Sequence, residues 1–302
     1  MDHENQPRGP IQLCDGLRVI TANNPSPMTF KGTNSYLLGR QEVAVIDPGP
    51  DDADHIDKLV QAAGGAHKIS QIWVTHSHID HTAGVQRLAE QTGAPVFAFG
   101  PSDAGRAPHM HDLAALGQLG GGEGVDHKFR PDNLVKDGDR LKIDGIVATA
   151  HWIPGHFCNH LAFETHFGTF TGDTVMGWAS SLVSPPDGDL TAFMASLERL
   201  EALHAPKFFS GHGAPIDAPN ARVDELRTHR LSRETAVLAA LAAAGADGAT
   251  VAQLTPAIYQ DVPVQMHPAA ARNLLAHLID LHLRGRIRLS GHHGPQGRYF
   301  ST

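Results

Sequence analysis

Short apolar runs alternate with helical patterns through the first hundred residues of the chain. The runs that predict strands are Leu17–Ala22, Ser35–Leu38, Val43–Ile46, Ile72–Thr75 and Pro95–Phe99. Two segments with helical periodicity lie among them, His55–Ala63 and Thr82–Thr92. This alternation of strands and helices predicts a layered α/β architecture.

The middle of the chain changes from a weak pattern to closely spaced strands. Residues 100–135 predict a long excursion with one short helix over Asp112–Leu119. Four short runs at hairpin spacing then predict strands over Arg140–Ile143, Ile146–Ala150, Leu161–Glu164 and Gly168–Thr171. An amphipathic helix over Leu190–Leu203 and a last strand over Lys207–Ser210 complete the segment.

From residue 220 onward the pattern predicts a separate helical unit. Its helices are expected over Val223–Ala244, Val251–Tyr259 and Pro268–Arg284, and two short strands over Arg286–Leu289 and Arg298–Phe300. Three helices followed by a β-hairpin are typical of a winged-helix module. The chain is therefore predicted to divide into a domain at 1–219 and a smaller one at 220–302.

Composition narrows the possible functions. The 302 residues carry a net charge of −8 with histidine neutral, which argues against tight non-specific binding of nucleic acid. The segment 222–302 differs, with nine arginines, no lysine and six acidic residues. Only two cysteines are present, the first ten residues do not resemble a secretory signal, and no apolar run predicts a membrane span. A cytoplasmic protein is expected.

A dense group of metal-ligand types follows the predicted strand Ile72–Thr75. Residues 76–81 read His-Ser-His-Ile-Asp-His and end where a helix is predicted to begin. Imidazole nitrogens and carboxylate oxygens are preferred ligands of Zn²⁺. A chance match at four positions is rare even in a chain with 21 histidines, so the string predicts a metal site.

Three later segments share one order, an apolar run, a glycine and then a ligand type. They are Gly155-His156, Gly172-Asp173 and Gly211-His212. Since strand ends carry the chemistry in layered α/β folds, these segments are expected to meet at one rim. The expected ligands are His76, His78 and His156 for one ion, Asp80, His81 and His212 for a second, and Asp173 as the bridge between them.

This ligand set predicts a hydrolase with two divalent metal ions. Zinc is the expected metal, and the same residues also accept iron or manganese. Two ions lower the pKa of a shared water and supply hydroxide at neutral pH, with Asp80 or Asp173 to take its proton or hold it in line. His160 is expected to orient the Gly155–His156 turn or to shuttle protons. Phe30 and Trp178 are candidates for a substrate pocket or for a cap on the core.

The order of these motifs resembles the metallo-β-lactamase superfamily from about residue 34 to residue 213. The resemblance implies an αββα sandwich with the metal site at one edge. Asp47, in its Asp-Pro-Gly turn, matches an early aspartate that supports the metal-binding loop without binding metal. His78 stands where a glutamate is expected in a di-iron relative that reduces oxygen. Met176 replaces the tyrosine expected of a lactonase.

A narrower resemblance extends over nearly the whole chain. The segment 31–36, the segment 172–177, the helix around Leu197–Leu203 and the predicted winged helix are similar to the β-lactamase-like protein 2 family. Characterised members of that family cleave single-stranded RNA. Phosphodiester cleavage of RNA is thus one expected activity, and hydrolysis of a small ester or thioester, as in glyoxalase II-like enzymes, is the alternative.

A function of another class is a non-catalytic regulator whose winged helix binds DNA. The complete ligand set argues against this reading. Arg284, Arg286 and Arg288 carry no strong DNA-binding signal, because arginines at a helix C-terminus also compensate the helix dipole. The winged-helix unit is equally compatible with an oligomer contact or with a wall of the active site.

Overall fold

The computed structural model describes residues 9–117 and 124–302. The first sheet has seven strands in sequence order: β1 Ile11–Cys14, β2 Leu17–Thr21, β3 Asn34–Leu38, β4 Val43–Ile46, β5 Ile69–Trp73, β6 Val96–Ala98 and β7 Asn133–Leu134. Strands β1 to β4 pair antiparallel, and β4 to β7 pair parallel. The parallel half directs the C-terminal ends of β4 and β5 toward the same edge.

The second sheet has five strands in the order β12-β11-β10-β9-β8. Their bounds are β8 Arg140–Ile143, β9 Ile146–Trp152, β10 Leu161–Thr165, β11 Gly168–Gly172 and β12 Phe208–Ser210. Neighbouring strands are antiparallel except β11 and β12. Side chains from both sheets, including Tyr36, Trp73, Phe163 and Phe170, share one core between the two sheets.

Helices cover the outer faces of both sheets. The helices that precede residue 219 are α1 Ala53–Ala63, α2 Ile79–Thr82, α3 Val85–Thr92, α4 Pro108–Ala115 and α5 Leu190–Ala202. Of these, α4 packs through Met110 and Leu113 on the C-terminal helices. Residues of α1 and α3 pack on the first sheet, and residues of α5 pack on the second. The layers therefore follow the order helix, sheet, sheet, helix, which confirms the predicted αββα sandwich.

The C-terminal segment forms three helices and a two-stranded sheet, as predicted. Their bounds are α6 Pro219–Ala244, α7 Val251–Ile258, α8 His267–Leu283, β13 Ile287–Ser290 and β14 Arg298–Ser301. The end of α6 joins α7 and α8 in a core around Leu241, Leu254 and Leu278. The start of α6 instead packs on α5 through Val223 and Leu226. Because α6 contributes to both cores, the boundary at 219/220 stays a prediction.

Several predicted elements differ in their bounds. The strand expected over Ile72–Thr75 lies at Ile69–Trp73, because the Thr75 backbone N–H donates to Asp47 instead of a neighbouring strand. The helix expected over Thr82–Thr92 is interrupted at Gly84, whose N–H donates to the Gly49 carbonyl.

The short helix expected over Asp112–Leu119 spans Pro108–Ala115, and residues 118 and 119 lie outside the described residues. Pro108 occupies the first turn of this helix, where the missing N–H of proline costs nothing. No helix of the described ranges is long and apolar enough to cross a membrane.

Candidate metal centre

The predicted ligand string lies where β5 leaves the first sheet. Thr75 is held against the second sheet, since its carbonyl accepts the Leu161 N–H at 2.7 Å. His76 follows directly, and α2 begins at Ile79 with Asp80 and His81 in its single turn. The string thus reaches the junction of the two sheets, where the ends of β9, β11 and β12 also arrive.

One group of ligand atoms comprises four residues from three segments, namely His76, His78, His156 and Asp173. All four ligand atoms lie within 4.8 Å of one another. Nδ1 of His78 lies 2.9 Å from Nε2 of His76 and 3.1 Å from Nε2 of His156. The nearest Asp173 oxygen is 3.8 Å from His156 and 4.0 Å from His76. Such spacings suit four donors around one tetrahedral ion.

The second group comprises Asp80, His81 and His212, and Asp173 lies against it. Nε2 of His212 is 3.2 Å from Asp80 Oδ2 and 3.3 Å from Asp173 Oδ2. Nε2 of His81 is 3.4 Å from Asp80 and 3.5 Å from Asp173. Asp173 therefore lies between the two groups, where the sequence predicts a bridging ligand.

Two buried atoms in this centre lack any hydrogen-bond partner among the described residues. They are Nε2 of His81 and Oδ1 of Asp173. An unpaired buried nitrogen and carboxylate oxygen are costly unless something else occupies the space they face. Divalent ions satisfy both atoms, so the residues present fit a binuclear metal centre.

The charge state of the ligands agrees with this fit. Burial lowers the pKa of His76 and lowers that of His78 to about 3, so both rings are neutral and present lone pairs. Burial acts to lower the pKa of His212, but the carboxylates of Asp173 and Asp80 together outweigh burial and raise this pKa to about 10. Burial acts to raise the pKa of Asp173, but His212 and His81 hold it well below its usual range. Metal ions displace such ring protons when they bind.

The ring nitrogens that face away from the centre are held by the protein. Those of His156 and His212 lie 2.7 Å and 3.1 Å from the carbonyls of Leu182 and Gly32. Acceptors in this position fix the ring orientation and raise the basicity of the opposite nitrogen. The two rings are therefore preorganised to present Nε2 to the centre.

Asp47 supports the centre without being part of either ligand group. Its Oδ1 accepts the Thr75 N–H at 2.7 Å, and its Oδ2 accepts the Thr75 hydroxyl at 2.7 Å. The same Oδ2 lies 2.9 Å from Nδ1 of His81. Asp47 adopts a positive φ of 52°, which places its carboxylate behind the ligand loop. This is the supporting position that the resemblance implied.

His160 is buried beside the ligands but differs from expectation in its contacts. Its Nε2 accepts the backbone N–H of Asp173 at 3.2 Å, and its ring stacks on His76 at 4.6 Å between centroids. The side chain therefore positions Asp173, and the predicted hydrogen bond to the Gly155–His156 turn is wrong. The error arose because sequence proximity to His156 suggested a local contact.

The glycines before three ligands have a structural reason. A Cβ on Gly211 would lie 2.3 Å from Asp173 Oδ1, and one on Gly155 would lie 2.2 Å from the Phe193 backbone. Gly172 has a φ of 46°, and a Cβ there would lie 2.7 Å from the His160 ring. Glycine is needed at all three positions because a neighbouring side chain or the backbone of α5 lies too close for a Cβ.

Two residues near the centre were missed by the sequence analysis. The Thr33 hydroxyl donates to Asp80 Oδ2 at 3.0 Å. The Asn34 amide donates to the carbonyls of Ser210 and Gly213 at 3.1 and 2.8 Å and so holds the turn that carries His212. Both lie in the segment 31–36 that supported the family resemblance, but no pattern there indicates which ligand each would contact.

A cavity of about 450 Å³ opens from the metal centre. Ligands that line it include His78, Asp80, His156, Asp173 and His212. The remaining walls are mostly apolar and come from loops of the sandwich and from the C-terminal helices, with Met28, Met176, Trp178, Leu182, Tyr259, Val262, Met266, Ala269 and Ala270 among them. The C-terminal segment is thus a wall of the site, one of the roles that the sequence left open.

Of the two aromatic candidates, Trp178 lines the cavity and Phe30 covers Trp178 from outside. Their rings stack with centroids 4.8 Å apart and planes 15° apart. Phe30 is 41% exposed and adopts a φ of 54°, an uncommon conformation for a bulky residue. Such strained positions cluster near binding sites.

Two facing mixed sheets with a His/Asp centre for two ions at one edge define a binuclear metallo-hydrolase. The chain belongs to the metallo-beta-lactamase superfamily, whose family model matches residues 28–212. A second model, the beta-lactamase associated winged helix domain, matches residues 250–294. The family assigned by resemblance is therefore confirmed, and the protein is a hydrolase of this superfamily with a C-terminal winged helix.

Known proteins resemble the chain over most of its length. A beta-lactamase-like protein 2 homolog of Drosophila melanogaster is 29% identical and covers 92% of each chain. An atrochrysone carboxyl ACP thioesterase of Aspergillus fumigatus is 30% identical, covering 83% of this chain and 75% of its own. The crystal structure of a metallo-beta-lactamase family protein from Thermus thermophilus matches with a TM-score of 0.77 and 26% identity, covering 96% of this chain and all of that one.

Proposed function

We propose that the protein hydrolyses a small-molecule thioester or ester whose acyl chain lies against apolar side chains. The observation that carries this proposal is the cavity at the metal centre, whose walls away from the ligands are mainly apolar. Its volume of about 450 Å³ is typical of small-ligand pockets. A thioesterase among the relatives supports the same chemistry.

The His/Asp groups would hold two divalent ions, which would supply a nucleophile at neutral pH and stabilise negative charge on oxygen. The protein itself holds the ligands in place and accepts one proton from the attacking water. The side chain of Asp80 is 27% exposed, against 9% for Asp173, so Asp80 is the more accessible of the two carboxylates. We assign Asp80 to accept the proton of the attacking water and Asp173 to hold the ligand geometry.

In the proposed reaction, water oxygen bonds to the carbonyl carbon and the carbon–sulfur bond breaks. Asp80 passes the first proton of the water to the departing thiol, and the acyl group leaves as a carboxylic acid that becomes a carboxylate when it releases the second proton to solvent. Met176 and Trp178 pack beside the acyl chain and exclude bulk water from the site. The winged-helix segment contributes the remaining wall through Tyr259, Val262 and Met266.

Cleavage of single-stranded RNA is the second candidate. It follows from the resemblance to the β-lactamase-like protein 2 family, and one observation favours it. Exposed Phe30 stacks on Trp178 beside the cavity, and Nζ of Lys31 lies 5.7 Å from the Phe30 ring centroid. Aromatic platforms with an adjacent cation bind unpaired bases.

The test measures kcat/KM for thioesters of increasing acyl length, the matching oxygen esters, and single-stranded RNA. Ala269→Leu narrows the cavity, and we expect about a tenfold loss on long acyl thioesters with a smaller loss on the acetyl thioester. The matched control is Ala239→Leu, at an exposed position of α6. RNA cleavage without thioester turnover would refute the proposal in favour of the second candidate.

A further inference from the structure

The guanidinium of Arg230 is buried without a counter-charge. The residue is 3% exposed and lies on α6. Its Nη1 donates to Asn273 Oδ1 at 3.0 Å, its Nη2 donates to the Ser181 carbonyl, and its Nε has no partner. The guanidinium carbon lies 5.0 Å from the centre of the Phe193 ring. Within the described ranges, no carboxylate forms an ion pair with Arg230.

The other arginines of α6 differ from Arg230 in this respect. Arg222 pairs with Glu225 at 2.8 Å within the helix. Arg227 pairs with Glu201 at 2.9 Å and Arg233 with Asp261 at 2.7 Å. Each partly exposed arginine of the helix thus has a carboxylate partner, and the buried Arg230 has none among the described residues.

Burying the guanidinium of Arg230 without a carboxylate partner is energetically unfavourable. It lowers the pKa of Arg230 to about 10, yet the group stays charged at neutral pH. Buried charges in proteins are ordinarily paired or bind a ligand of opposite sign. The neighbours of Arg230 are neutral dipoles and a ring, so no described residue supplies the opposite charge.

Arg230 lines the same cavity as the metal ligands. Asn273 lines it as well, and its Nδ2 donates to no described residue because both of its hydrogen bonds use Oδ1. His229 adds a third group to this wall, with Nε2 buried and unpartnered. The wall made by α6 and α8 therefore holds several unused donors within an otherwise apolar surface.

We propose that Arg230 and Asn273 bind a carboxylate on the acyl portion of the substrate. This inference rests on the proposed thioester hydrolysis and specifies its substrate class as an acyl group that carries an acid. A guanidinium has five N–H donors, and the two bonds of Arg230 leave three for a ligand. Its planar edge matches the two oxygens of a carboxylate. Arg233 also lines the cavity, but it is already paired with Asp261 at 2.7 Å and so does not add a free positive charge for a phosphate.

A purely structural role would use only the two existing bonds. They connect α6 to Ser181, in the loop that follows Asp173, and to Asn273 of α8. Neither bond requires a positive charge, so a structural role would not alter the preference between an acidic substrate and its neutral ester. Substrate preference is therefore the measurement that separates the two roles.

The experiment uses N-acetylcysteamine thioesters of glutaric, adipic and suberic acid, each as the free ω-acid and as its ω-methyl ester. The measured quantity is the ratio of kcat/KM for acid over ester in the metal-loaded full chain. We expect a ratio of at least about ten for one chain length in the wild type. The methyl ester lacks the carboxylate that would pair with the buried charge of Arg230, so its binding should be weaker. Arg230→Gln should bring the ratio close to one. The matched control Arg227→Gln, on the same helix but away from the cavity, should keep the wild-type ratio.

A second measurement covers the case in which Arg230→Gln does not fold. In the wild type, suberate should raise the midpoint of thermal unfolding by about 2 to 4 °C more than its monomethyl ester at matched ionic strength. The monomethyl ester retains one carboxylate and so controls for binding at the metals. Equal stabilisation by inorganic phosphate would overturn the carboxylate assignment.

The outcomes separate the two proposals. Hydrolysis of both thioesters without a preference for the acid overturns the carboxylate site and leaves the proposed function standing. If neither thioester is hydrolysed, the proposed function fails. The extra rise of the thermal midpoint with suberate then tests the carboxylate site independently of turnover. Its presence supports the Arg230 site, and its absence overturns that site.

Discussion

Replacing Asp47 by Asn should weaken the binding of one metal ion more than that of the other. The carboxylate accepts three hydrogen bonds, from the Thr75 N–H, the Thr75 hydroxyl and Nδ1 of His81. An amide has one oxygen, so it cannot serve both positions. If that oxygen faces the Thr75 N–H, the amide NH₂ faces His81 and forces its proton from Nδ1 to Nε2. Nε2 is the atom that His81 directs at the second metal group.

The size of the effect follows from these contacts. Loss of such a supporting hydrogen bond typically weakens metal binding by about 10- to 100-fold, or roughly 1.4 to 2.8 kcal/mol. The reverse amide orientation leaves the buried Thr75 N–H unpaired at a similar cost of about 1 to 3 kcal/mol. The ion held by His76, His78 and His156 should be affected less, because none of these rings contacts Asp47.

The assay is a zinc titration of the apo protein against a chromogenic chelator, which resolves two affinities. The matched control is Asp144→Asn, because Asp144 also has a positive φ and its carboxylate also accepts backbone N–H groups, but on the surface. Asparagine tolerates this backbone conformation, so strain is the same in both variants. Wild-type affinity at both sites in Asp47→Asn would refute the reasoning.

Three further predictions follow from the structure. Gly211→Ala places a Cβ 2.3 Å from Asp173 Oδ1, so metal content and activity should fall while the circular dichroism spectrum stays native. Burial lowers the pKa of His55 to about 4, so the unfolded chain takes up this proton first. The stability that His55 contributes should be full above pH 6.5 and fall by about 1.4 kcal/mol per pH unit toward pH 4, and His55→Gln should reduce the slope of stability against pH by about that amount in urea titrations. Removal of the metals with a chelator should abolish hydrolysis and lower the thermal midpoint, with recovery on adding zinc back.

The position of the metal centre was predictable because its ligands follow strand ends. The strand before His76 and the strand before Asp173 are short apolar runs with clear ends, and the glycine before Asp173 shows that the chain turns there. Strand ends of one layered fold meet at one edge. The metal ligands could therefore be grouped correctly although they lie far apart in the sequence.

Two short edge strands of the first sheet were missed. Strand β1 over Ile11–Cys14 has only four residues, and β7 over Asn133–Leu134 has only two, both exposed. Runs this short do not establish the alternation by which a strand is recognised, although Leu13 and Cys14 of β1 pack partly on the core. The break at Gly84 was missed for another reason, since it depends on a distant hydrogen bond from Gly84 to Gly49.

The substrate cavity could not be predicted from sequence. Its far wall forms only when α6, α7 and α8 pack against the sandwich, and Arg230, Tyr259 and Asn273 reach the cavity through that packing. In the sequence of α6, nothing distinguishes Arg230 from the surface arginines of the same helix. What distinguishes it is the absence of a carboxylate among its described neighbours, which is a property of tertiary structure.

The measurement that tests the central claim most directly is metal content together with thioester hydrolysis, for the wild type and for His81→Ala. The two ligand groups predict two metal ions per wild-type chain and turnover of an acyl thioester. The variant should lose one ion, keep the other, and lose most of the activity, because His81 belongs to the second group alone. A wild-type chain that hydrolyses the thioester with no more than one ion, or a variant that keeps both ions, would contradict the account.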